Sequence, residues 1–455
     1  MIPVQAALLI WIFVSIAFMA DRNHARGFSL SYIGALLFLP AAAGIDLPGM
    51  PVLTKFEVAT IGVSIGTIIF HPRILDNLKI AWPDLFLVGS MQFVFATGLV
   101  NEDGYFTSAS RAFQFGLQFA LPVFLARLHI GTPRDIRVFM MTLIFAAVIY
   151  APLALWEFRM SPQIHRNVYG YFQHVFIQHY RNGFWRPILF FDHALNLGRF
   201  FAFTSFLALF PFRRDFVDLL GIKGKYVFTF PLAGLILSQS MSPYMLFGML
   251  CVGYLALNKN IWALYALPLF AVVWVGMVLA EMRPLFFMVS DISTMNADRA
   301  ASFGYRLRAW ELHIPAIWEQ SLLGYGGFGR GRMDGVAIDA QALNSLLVRG
   351  ILGSLCFYAW WVYALFTAIS IPKIVPNSVL AKRAKGIALM IALGILISAI
   401  DKALSNWLVL LAGGTVGVYM WLINHQSSEE LDPTLNKLAA QSNRERLDRA
   451  IDTSS

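Results

Sequence analysis

The feature that most constrains this chain is the recurrence of long apolar runs carrying few charges. They lie at 3–20, 28–45, 56–71, 82–100, 108–127, 137–157, 192–212, 224–239, 242–258, 261–280, 341–370, 385–400 and 403–424. Most are near the ~20 residues that a helix needs to cross a bilayer. No single soluble core could hide them all: 58% of the 455 residues are apolar and only 13% are charged, where a soluble domain carries ~25% charged residues. Inside lipid a segment must satisfy its own backbone, so such runs are expected to be helices. The chain is therefore expected to be an all-α polytopic membrane protein with about 12–13 transmembrane helices. Residues 1–424 would form the integral membrane domain, and 425–455 a charged cytoplasmic tail. The run 224–239 contains Pro231 and is expected to be kinked or tilted.

These numbers exclude disorder, coiled coil and collagen. Cys251 and Cys356 lie inside apolar stretches and read as small buried hydrophobes. No CxxC, HExxH or Walker A pattern occurs, so no metal and no cofactor is expected. The net charge of +9 is no nucleic-acid signal, because much of it lies in short loops. Those loops set the orientation. Arg127, Arg134 and Arg137, then Arg213, Arg214, Lys223 and Lys225, then Lys373, Lys382, Arg383 and Lys385 all fall on one side if thirteen spans alternate. That side is expected to be cytoplasmic. The acidic turn Asn101-Glu102-Asp103 and an N-terminus without a cleavable signal fall on the exported side.

Two long segments, 158–191 and 281–340, also fall on the exported side, where loops of this length are usually functional. The stretch 159–191 holds Arg159, Arg166, Arg181, Arg186, His165, His174 and His179, and no Asp or Glu. It reads either as an amphipathic segment on anionic headgroups or as an anion site for phosphate or diphosphate. Asp192, His193, Asn196 and Arg199 follow at the start of a span. The spacing puts Asp192, Asn196 and Arg199 on one helix face. In the second segment Arg299, Arg306, Arg308, Trp310, Glu311 and His313 lie in an expected helix. Gly324-Tyr325-Gly326-Gly327-Phe328-Gly329 fits GxGxxG formally. No strand precedes it, so it reads as a tight turn allowing close backbone approach rather than a dinucleotide site. Asp339 then stands at the mouth of a span, near an N-cap position, and Arg349 lies inside an apolar helix, where it needs a partner or a wet cavity.

Three segments together resemble the O-antigen ligase and Wzy-type polysaccharide polymerase superfamily of bacterial envelope proteins. They are Arg186-Pro187 with the Phe-rich stretch and Asn196; Arg299-x2-Ser302-x3-Arg306-x3-Trp310 followed by Leu322-Leu323-Gly324-Tyr325-Gly326; and Asp339-x3-Leu343 running to Gly350-x2-Gly353. The matches span roughly residues 186–355. The chain departs from the family where ligases place a His, at Asp339, and where the family often has Ser-x-Ser-Arg, at Ser238-Gln239-Ser240-Met241. The first departure leans toward a polymerase.

The resemblance implies glycan transfer from an undecaprenyl-diphosphate-linked donor to an acceptor glycan, without metal or nucleotide, at the periplasmic face of a bacterial inner membrane. It implies Arg186 and Arg306 as diphosphate ligands, with Arg199 or Arg308 as help. It implies Asp339 as the base for the acceptor hydroxyl, with His313 and His193 as alternatives. Arg181, Asn196 and Trp310 complete the expected substrate-binding set. Membrane lipids and a chain-length regulator are the further partners expected, and no nucleic acid. The competing readings are a ligase moving a finished glycan once, a lipid or polysaccharide transporter, and a structural membrane subunit. A transporter usually shows repeated halves, and none is visible here.

Overall fold

The computed structural model describes residues 1–46, 50–181, 183–213, 215, 224–257, 260–281, 297–327, 329–333, 335–336 and 338–426, without the side chains of 225, 297–303 and 426. The tail from 427 on, Arg214, Lys223 and Phe328, and the side chains of Lys225, Arg299 and Ser302 lie outside the described residues.

The chain is an all-α polytopic membrane protein. Its helices are α1 (Val4–Met19), α2 (His24–Phe38), α3 (Lys55–Phe70), α4 (Leu85–Val100), α5 (Tyr105–Phe115), α6 (Leu121–His129), α7 (Pro133–Met160), α8 (Ile164–Tyr169), α9 (Ala194–Leu209), α10 (Thr229–Leu237), α11 (Met241–Ala256), α12 (Ala266–Leu279), α13 (Ala297–Glu319), α14 (Gln341–Ile374), α15 (Val379–Ser398) and α16 (Asn406–Gln426). Every apolar run named above is helical. Among the described residues, five helical stretches have the length and apolarity to cross a bilayer: Trp82–Val100, Pro133–Met160, Ile261–Leu279, Gln341–Ile374 and Asn406–His425. Large apolar side chains stand exposed around the bundle, among them Phe13, Ile68, Val252, Leu269, Val272 and Leu355. Lipid is the solvent that suits such a perimeter.

Local chemistry accounts for the irregularities. α5 and α6 are one run joined by a π turn at Gly116–Ala120, just ahead of Pro122, whose missing N–H breaks the regular ladder. α7 begins at Thr132, whose hydroxyl accepts the Asp135 N–H at 3.3 Å, with Pro133 at the first helical position. Small residues let helices touch: Gly62 and Gly66 of α3 lie against α1, and Gly413 and Gly417 of α16 against α6.

Contacts between helix ends define two ends of the bundle. One, here the far face, joins the ends of α1, α3 and α6 with the starts of α2, α4 and α7, and the Asp215 loop with Arg137 and Arg383. Arg127, Arg137 and Arg383 of the basic loops lie there. The other, the site face, carries 101–104, 161–193, 320–340 and 399–405.

α14 is broken on the site-face side. Gly350 has φ +63° and ψ −171°, outside helical geometry. The segment 321–326 takes up the backbone groups this frees: Tyr325 N–H donates to Leu347 O at 2.7 Å, Gly326 N–H to Val348 O at 3.1 Å, and Ile351 N–H to Ser321 O at 2.8 Å. A Cβ on Gly350 would stand 2.2 Å from the Leu322 carbonyl oxygen. The glycine segment is thus a close backbone approach. Asn101 Nδ2 donates to Gly324 O at 3.0 Å, and Arg330 and Arg111 both pair with Asp103. The acidic turn and the segment around 324–330 therefore share one face.

Candidate functional site

Three elements converge on the site face. The first is the start of α9. His193 Nδ1 accepts the Leu195 N–H at 2.9 Å and caps the helix. The first turn then carries a chain of side-chain bonds: Asn196 Nδ2 to Asp192 Oδ1 at 2.7 Å, and Arg199 Nη1 to Asn196 Oδ1 at 2.9 Å.

The second element is the linker between α15 and α16. Asp401 is buried in it. Its Oδ1 accepts the Lys402 N–H at 2.8 Å. Its Oδ2 pairs with Arg199 and lies 3.8 Å from Arg306 Nη2. Burial alone would raise the Asp401 carboxyl, but the two guanidinium groups outweigh it and hold the group below the usual carboxylate range. Arg199 also donates to the Lys402 carbonyl.

The third element is α13 with the approach to α14. Leu307, Trp310, Ile314 and Ile317 bury one flank of α13 against Trp274 and Val278 of α12 and Leu343, Leu346 and Leu347 of α14. Trp310 Nε1 donates to Ala399 O at 3.0 Å. Arg306 lies one turn before Trp310, so it is carried to the same linker. Its Nε is 3.4 Å from Asp339 Oδ2. The outcome is a continuous network from Asp192 through Asn196, Arg199, Asp401 and Arg306 to Asp339. It is closed at Asp401 and open at Asp339, whose side chain is 44% exposed.

Arg186 sits apart. Glu157 at the end of α7 accepts the Ile188 and Leu189 N–H groups, each at 2.9 Å, and so pins the turn after Arg186-Pro187. The Arg186 guanidinium is buried, with Nη2 2.5 Å from Ser240 Oγ and Nε 3.3 Å from Ser238 O. Burial, with Arg181 nearby, brings it down to about 10. The turn where the resembled family carries Ser-x-Ser-Arg thus receives an arginine from elsewhere in the chain. Histidines link this region to Asp192: His179 Nε2 is 3.4 Å from His174 Nδ1, and the His174 and His193 rings are 4.5 Å apart. Burial pushes His179 down to about 4.

The structure brings Arg199, Asn196, Arg306 and Asp339 together. Arg308 is exposed two positions from Arg306, and Arg181 is exposed on a two-residue strand. Trp310 and His313 are buried packing groups. His313 uses both ring nitrogens, Nδ1 toward Ala309 O at 2.6 Å and Nε2 accepting the Met333 N–H at 3.1 Å. His193 spends Nδ1 on its cap. His313 therefore has no ring nitrogen left to act as a base, and burial pushes His193 down to about 3. Sequence reasoning passed over Asp401, and marked Ser238 and Ser240 only as a turn without its arginine. An ionisable residue in a short linker between two apolar helices was the signal available for Asp401.

The chain matches no protein-family model, and no curated protein matches it.

Proposed function

We propose that the chain is a lipid-diphosphate-dependent glycosyltransferase of the polysaccharide-polymerase type, at the outer face of a bacterial inner membrane. The observation that supports this most is the network in which Arg199 and Arg306 share the buried Asp401 while Asp339 stands open beside Arg306. An undecaprenyl-diphosphate-linked glycan presents its leaving group as an anion. Arg306 is held by two carboxylates at 3.4 and 3.8 Å, contacts long enough for a diphosphate oxygen to compete with. Its turn toward the diphosphate would leave Asp339 free to take a proton.

The step is an inverting displacement. The acceptor hydroxyl attacks the anomeric carbon, its proton passes to Asp339, and the carbon–oxygen bond to the diphosphate breaks. The electron pair leaves on the carrier's diphosphate, against Arg306 and Arg199. A fixed cation at a developing anion contributes about 2–4 kcal/mol, or ~10²–10³ in rate. Arg186, held instead against Ser238 and Ser240, serves in this reading as a binding group on the donor's path rather than at the reacting bond.

The test is the size profile of lipid-linked and surface glycans from a deletion strain, with wild type and Arg306→Ala restored at equal membrane levels. Loss of long polymer with accumulation of single lipid-linked repeats, rescued by wild type alone, is the expected result. Full-length polymer retained on its carrier would instead make the chain a ligase. An unchanged profile in the deletion strain would remove the glycan reading.

A further inference from the structure

Arg349 stands at the break in α14, immediately before Gly350. It is 8% exposed. Its guanidinium lies over two aromatic rings, 5.1 Å from the Phe115 centroid and 4.6 Å from that of Phe357. Its Nη1 is buried and has no hydrogen-bond partner among the described residues. No ion pair there involves it either, whereas Arg127, Arg199, Arg306 and Arg383 each have a carboxylate.

Aromatic faces satisfy part of a cation's charge but none of its N–H groups. A buried guanidinium without acceptors is as unfavourable as any buried charge with no partner. Hydroxyl groups lie along the same helix. Ser345 Oγ and Ser354 Oγ bond each other at 2.8 Å across the break, and Tyr358 Oη is 3.0 Å from Ser398 Oγ. Apolar side chains on the same helix and on α5 are exposed: Leu352 and Leu355 of α14 and Phe113 of α5.

We propose that Arg349 is the centre of a second anion site, separate from the Arg306 network, and that it takes a phosphate group. Phe115 and Phe357 supply no acceptor, so the N–H groups of the guanidinium are left to a ligand. A tetrahedral phosphate supplies several acceptors for such groups. The neighbouring exposed apolar side chains favour a phosphate carried on a lipid, and free phosphate is the other source. The site does not depend on the glycosyltransferase reading.

Thermal unfolding of the purified full chain tests it, with phosphatidylglycerol, phosphatidylcholine or inorganic phosphate added. The variants are Arg349→Met, which keeps the stem and removes the donors, and Arg349→Lys. The expected result is a saturable rise in midpoint with phosphatidylglycerol, absent with phosphatidylcholine and lost in Arg349→Met. Native mass spectrometry should show phosphatidylglycerol held about tenfold or more weakly by the variant, as loss of one charge-assisted contact implies. A full rise with inorganic phosphate alone supports the site and assigns it the free anion. An equal rise in wild type and Arg349→Met, or none in wild type with either phosphate source, overturns it. Should Arg349→Met fail to fold, Arg349→Lys decides: a point charge cannot replace the N–H edge, so an undiminished rise overturns the proposal.

Discussion

Arginine–aspartate pairs occur at both ends of the bundle and are built differently. On the far face Arg127 gives two N–H groups to the two oxygens of Asp84, at 2.6 and 2.7 Å, with side chains only 3% and 1% exposed. Arg383 likewise donates to both oxygens of Asp215 at 2.6 Å. The first pair is dry, bidentate and matched; the second uses one nitrogen, and its Asp215 is shared with the half-exposed Arg137. On the site face Arg199 and Arg306 contest Asp401, and Arg306 reaches Asp339 at 3.4 Å with that carboxylate half open. One chemistry yields a staple at Arg127–Asp84, where each charge has its own partner. It yields a place to exchange partners where cations share an anion near solvent.

The widest gap between the two faces should appear in stability. Asp84→Ala strands a buried guanidinium and should cost about 3–5 kcal/mol, read as a collapse of folded yield and midpoint. Asp339→Ala removes a half-exposed partner and should cost about 1 kcal/mol or less. Equal losses would erase the distinction. Activity should reverse the order: Arg306→Ala should lower glycan transfer by about 10²–10³ at normal folded yield, while a far-face variant that still folds should lose little.

Acid should act on the site face through its histidines. His179 is buried, and its folded-state pKa of about 4 lies below the ~6.5 of an unfolded histidine. The neutral ring is favoured in the folded protein, so its contribution is complete above pH ~6.5 and is lost as pH falls toward the folded value. The slope is about 1.4 kcal/mol per pH unit, and His179→Phe should flatten it in a pH series of unfolding midpoints. The smallest effect should be Arg308→Ala, within about 0.5 kcal/mol in stability and near wild type in activity. A loss matching that of Arg306→Ala would show that charge on α13, rather than position, is what counts.

Which of these residues could be read without a structure follows from the reach of each signal. The helices were legible because lipid leaves an apolar segment no other way to satisfy its backbone. Arg306 and Arg308 look alike as charges. The four-residue step from Arg306 to the buried Trp310 is what separates them, since it puts one on the packed flank and leaves the other outside. Asp401 was not legible as a partner, because it meets Arg199 and Arg306 only through the folding of distant helices. Histidine roles were hidden for a related reason. His193 and His313 show the same ring in the sequence, and only their neighbours show that one nitrogen or both are spent on backbone groups.

The splice between 321–326 and the break at Gly350 bears on how the protein can be handled. These backbone groups complete a membrane helix, so the loop's first six positions belong to the helix as much as its own turns do. A reporter or affinity epitope inserted there would unravel α14, and a protease cut there would sever a span in effect. The stretch around Arg332 and Gly335, beyond the splice and largely exposed, is where the polypeptide can accept a graft.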